Sequence, residues 1–138
     1  MTIWISKDPF GAALSNEAVW LTMQVVRLPS PLSDVGASEL EAYFTVSGED
    51  HLLRVFFHHV DIFHVIDDVH LPLEEHGQKT VGHVPNYFAY RVEGSPFRAA
   101  QREVLAVVRP GSTHYRFVTG GNCLDVISPD EPSFSWVS

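Results

Sequence analysis

Residues 113 to 128 read THYRFVTGGNCLDVIS: two runs in which apolar and polar side chains alternate, joined by Gly120, Gly121 and Asn122. Alternation at period two places successive side chains on opposite faces of extended backbone. The three joining residues tolerate positive φ, so the chain can reverse tightly there. This β-hairpin is the sharpest structural signal in the chain, and it draws the remaining segments toward an antiparallel β fold.

Other stretches agree. AVWLTMQVVRL (18–28) mixes β-branched and aromatic residues and stops at the turn formers PSPLSD. ELEAYFTVSG (39–48) alternates and then meets a turn, and YFAYRVEG (87–94) reads as another strand. LLRVFFHHV (52–60) and DIFHVID (61–67) are expected to form a hairpin through a bend at Val60 and Asp61, or else one long bent strand. LPLEEHGQKTVGHVPN (71–86) reads as a loop punctuated by Gly77, Gly82 and Pro85. FSWV adds a last short strand. GSPFRAAQREV carries the helix signal. Ser95 can accept a hydrogen bond from an orphan N–H of the first turn, Pro96 suits the first helical position, and Ala99 and Ala100 favour helix. The expected class is α+β: a mainly antiparallel β-sheet with one short helix near residues 96–104, in a single domain spanning 1–138.

Composition narrows the functional classes. A chain of 138 residues that is 45% hydrophobic and 19% charged can bury a core as one domain. The single cysteine, Cys123, excludes an internal disulfide and a Cys-rich zinc module, and fits a reducing compartment. MTIWISKDPFGAAL has no basic flank followed by an unbroken apolar stretch, so no signal peptide is expected. No apolar run reaches the roughly 18 residues of a membrane span. A soluble, cytoplasmic protein is the expectation. A net charge of −8 argues against nucleic acid, whose phosphates need clustered Lys and Arg. The same charge suits a basic protein partner, and it also serves solubility.

The segment VFFHHVDIFHVIDDVH (55–70) holds His58, His59, His64 and His70 in an apolar run. On pleated backbone His58 and His59 point to opposite faces, so they cannot share one ion from a regular strand. Neither HxH nor HExxH occurs. The remaining metal route is tertiary: His58 or His59 with His64 across a hairpin, joined by Asp61 or Asp67. The expectation is no metal and no cofactor, with these histidines as half-exposed strand residues. A nucleophilic set of Cys123, His114 and Asp125 can be drawn across the 113–128 hairpin. Its alternative is a buried cysteine acting as a small apolar residue. Residues 128–132 read as an acidic surface turn, and the chain has no phosphate-binding glycine motif. Trp4, Trp20 and Trp136 are expected as core or edge anchors.

LLRVFFHHVDIFHVID, YRVEGSPFRAAQRE and HYRFVTGGNCLDVISPDEPSF together resemble small, acidic, mostly β bacterial proteins, some of them immunity proteins encoded beside polymorphic or contact-delivered toxins. The shared pattern is a strand pair, then a strand running into a Ser-started helix, then a final hairpin. It covers Leu52 to Phe134. The resemblance implies a non-enzymatic intracellular protein that binds and blocks a basic toxin domain, with no catalytic residues to carry over. The polar residues His58, His64, Asp67, Asp68, Glu74 and Glu75 are the expected partner contacts. Two other readings stand beside it. One is a small β-domain metal-binding protein or enzyme using the histidines of residues 51–83. The other is an accessory subunit of a larger assembly, or a homodimer paired through a strand edge.

Overall fold

A computed structural model describes residues 2–7, 21–27, 39–46, 50–67, 70, 72, 75–82, 88–100, 111–119 and 121–137. Among the described residues there are ten strands: β1 (Thr2–Lys7), β2 (Leu21–Arg27), β3 (Leu40–Val46), β4 (Leu52–Phe57), β5 (Ile62–Asp67), β6 (Lys79–Val81), β7 (Ala89–Glu93), β8 (Thr113–Val118), β9 (Asn122–Ser128) and β10 (Ser133–Val137). A short helix, α1 (Pro96–Ala100), lies between β7 and β8. The architecture is α+β and mainly antiparallel, as the alternation implies. No described helix is long and apolar enough to cross a membrane.

The strands form two sheets. Six run in the order β5-β9-β8-β7-β1-β6 and four in the order β10-β4-β3-β2. The expected hairpin is β8–β9, with Val118 opposite Cys123. Its turn is tied by Thr119, whose hydroxyl accepts the Asn122 N–H at 2.9 Å. Helix α1 starts where Ser95 and Pro96 place it; the expected continuation to residue 104 lies outside the described residues.

Three features depart from the sequence reading. β1 was not anticipated, although Ile3 and Ile5 are buried while Trp4 between them is exposed. The 71–86 segment, read as a loop, contains β6, which pairs with β1 in parallel from Thr2 opposite Lys79 to Trp4 opposite Val81. Its glycine has a purpose. Gly82 sits at φ +107, and a Cβ there would lie 1.9 Å from the Ile5 carbonyl oxygen. Only glycine lets the backbone pass β1 this closely.

The third departure concerns residues 52–67. β4 and β5 are not a hairpin. β4 lies between β3 and β10 in one sheet, whereas β5 pairs with β9 at the end of the other. The chain changes sheets at residues 58–61, much as strands turn the corners of packed sheets. The corner is fastened by hydrogen bonds. Asp61 N–H donates to the Ile127 carbonyl at 2.9 Å, Ser112 Oγ donates to Asp61 Oδ2 at 2.5 Å, and Ser128 Oγ donates to the His59 carbonyl.

The core lies between the sheets and is aromatic. Phe57 of β4 meets Tyr115 and Phe117 of β8 at centroid separations of 5.4 and 6.0 Å. Phe44 of β3 reaches Phe117 at 6.3 Å, and Phe88 completes the group at 6.0 Å from Phe117. Leu124 and Val126 of β9 are fully buried in the same cluster. Edge-on and tilted ring contacts at these distances add to the gain from burying area.

Candidate functional site

The residues that alternate with this core lie on the opposite face of the same strands. Side chains at paired positions share a face. His64 of β5 pairs with Asp125 of β9, and Asp125 pairs with Arg116 of β8. His114 lies two residues before Arg116, and Cys123 two before Asp125, on that face. Five chemistry-bearing side chains therefore stand together on three strands.

Asp125 is the hub. Its Oδ1 accepts from His114 Nε2 at 2.6 Å and from Arg116 Nε at 2.8 Å. Its Oδ2 accepts from His64 Nε2 at 2.8 Å and from the Cys123 thiol at 3.7 Å. Arg116 extends the network, donating through Nη2 to Glu75 Oε2 at 2.7 Å. Helix α1 closes it from above. Ser95 Oγ accepts the Arg98 N–H at 3.1 Å and contacts His114 Nδ1 at 2.8 Å. The Phe97 ring lies 3.9 Å from that of His64 at a 34° tilt, and 5.4 Å from that of His114 nearly edge-on.

The hydrogen positions follow from these partners. Ionised Asp125 can only accept, so His114 carries a hydrogen on Nε2, aimed at Oδ1. In the neutral imidazole Nδ1 is then the acceptor, and the Ser95 hydroxyl donates to it while accepting the Arg98 N–H. Burial pushes the His114 pKa down, outweighing the pull of Asp125, and Arg116 and His64 push the same way. Burial alone would raise the Asp125 carboxyl. The hydrogen bonds from His114 and His64 and the Arg116 charge overcome that and hold it well below the usual carboxylate range. Burial works against the Arg116 charge too, yet Asp125 and Glu75 leave its pKa above the ordinary arginine value.

Ser95, His114 and Asp125 stand in line, the order of groups that a nucleophilic triad uses. Here the serine is 1% exposed and doubles as a helix cap, and the imidazole and carboxylate are fully buried. The arrangement can hold charge and relay protons beneath α1. The drawn set of Cys123, His114 and Asp125 is assembled only through Asp125. Val118, not His114, faces Cys123 across the hairpin, and His114 faces Ile127. The cross-hairpin metal route through His58 and His64 falls with the hairpin itself. Among the described residues, no group of three or more His, Cys, Asp and Glu is arranged to hold a metal ion.

The expected partner contacts separate into two kinds. His58 is exposed at the sheet corner, 3.8 Å from Glu39, and Asp67 is exposed at the end of β5. His64, with 24% of its side chain exposed, and the largely buried Glu75 belong to the Asp125 network instead. Asp68 and Glu74 lie outside the described residues. The sequence places His114 with Asp125 but does not bring in Ser95, Arg116 or Glu75. A signal for part of this grouping exists: in THYRFVTGGNCLDVIS the alternating runs on either side of the glycines put Arg116 opposite Asp125, opposite charges on one face of a hairpin. Comparison with protein-family models, curated proteins and solved structures gives no match.

Proposed function

We propose that the chain is a non-catalytic, intracellular binding protein whose partner is a protein, and in its sharp form an immunity protein that occupies a basic toxin domain. One observation carries this reading: the reactive groups are turned inward onto one another, while a negative surplus and large apolar side chains face out. Ser95, His114, Cys123 and Asp125 are buried and hydrogen-bonded within the Asp125 network. Trp4, Val65 and Trp136 are 56%, 39% and 44% exposed, on a chain of net charge −8. Exposed tryptophans are the side chains that most often anchor protein contacts, and the acidic surplus would steer a basic partner toward them.

The test is affinity capture from the native host, followed by reconstitution with the purified captured protein. The expected result is a stoichiometric complex whose affinity falls at least tenfold between about 50 and 300 mM salt, as screening weakens complementary charge. For the immunity form, co-production should also restore growth to cells making the captured domain. A complex indifferent to salt, or no captured partner, overturns the proposal.

A further inference from the structure

Helix α1 is fastened to the large sheet through two side chains, and both meet histidines. Ser95, its cap, is bonded to His114 Nδ1 at 2.8 Å. Phe97 packs against the rings of both His114 and His64. We infer that α1 is a latch released by acid: a proton on His114 Nδ1 removes the acceptor that holds Ser95, and the helix lifts from the sheet with Phe97.

The chemistry is that of donors and acceptors. The Ser95 hydroxyl accepts the Arg98 N–H and donates to Nδ1, so oxygen and hydrogen are both engaged. Once Nδ1 is protonated it donates. The hydroxyl can turn to accept it, but the hydroxyl hydrogen is then left without its acceptor in a site where Ser95 is 1% exposed. An unsatisfied buried donor favours whichever state lets water in. The charged groups facing His114 are Asp125 from β9, His64 from β5 and Arg116 from its own strand, with Glu75 behind Arg116 and the Cys123 thiol sharing Asp125. Asp125 favours the proton; Arg116 and a protonated His64 oppose it.

The closed state keeps His114 neutral, because burial lowers its pKa from the ordinary 6.5. With the helix lifted, the ring regains water and takes up a proton near that ordinary value. A group depressed in the folded state contributes stability that is complete above pH 6.5 and is lost as the pH falls from there toward its folded value. The open fraction should therefore rise as the pH falls through that interval, by at most about tenfold per pH unit.

Native-state hydrogen exchange tests this directly. The reporters are the Arg98 and Ala99 amides, bonded to Ser95 Oγ and to the Ser95 carbonyl. After correction for intrinsic chemistry, their protection should drop by up to about fivefold between pH 6.5 and 5.5, while amides of the β3–β4 ladder change less than about 1.5-fold. Parallel changes in both regions, or none in α1, overturn the latch. Nitrogen chemical shifts of the wild-type imidazole supply a second reading: His114 should be the neutral Nε2–H tautomer at pH 7.5, and an Nδ1–H tautomer refutes the mechanism. His64→Gln should keep the response of α1; losing it would assign the proton to His64 and overturn the role given to His114.

Discussion

The two faces of the β5-β9-β8 strands are both buried, and they are held in opposite ways. One face presents Phe63, Tyr115, Phe117, Leu124 and Val126 to the aromatic core. The other presents His64, His114, Arg116, Cys123 and Asp125 to each other, to Glu75 and to α1. The apolar face is stabilised by area removed from water, which has no direction and tolerates changes of shape. The polar face depends on satisfied donors and acceptors, and each lost partner strands another. A single strand pair thus combines a forgiving surface and an exacting one.

Three substitutions probe that contrast. Asp125→Ala should have the largest effect. It takes from Arg116 its nearest carboxylate and removes the acceptor facing each imidazole Nε2–H, a loss of about 3–5 kcal/mol of unfolding free energy. A urea titration that returns less than a quarter of that free-energy loss would show that the polar face is not exacting. Phe117→Leu trims the apolar face at its centre while keeping it apolar, and should cost only about 1–1.5 kcal/mol in the same titration. A larger loss than that of Asp125→Ala would invert the contrast. His58→Ala removes an exposed imidazole 3.8 Å from Glu39 at the sheet corner. It should shift stability by less than about 0.5 kcal/mol, since solvent screens such pairs. A clear loss there would extend the exacting region beyond the network.

Local signals in the chain were strong where the cause is local. The cap at Ser95, Pro96 behind it, and the turn at residues 119–122 depend on a handful of adjacent residues, and these elements stand where those residues put them. Alternation in THYRFV correctly separates His114 and Arg116 from Tyr115 and Phe117. It reveals a face, not a depth. Depth depends on what lands on the face, and here that is Glu75 and Ser95, 41 and 19 residues away from their partners. The same limit explains residues 52–67. Two short strands separated by four residues look like a hairpin, but β5 finds its partner in β9, with His64 and Asp125 61 residues apart. The short β6 was hidden between Gly77 and Gly82, of which Gly82 makes the close approach to β1.

The place of β1 in the large sheet bears on how this protein emerges from the ribosome. β1 runs between β7 and β6, with Trp4 opposite Glu93 and Thr2 opposite Lys79. Its neighbours are therefore translated long after it. At about 5–20 residues per second, Ile3 and Ile5 wait on the order of 4–18 seconds for cover. Throughout that interval the nascent chain displays a sticky, unpaired ribbon, the form of segment that holdase chaperones bind.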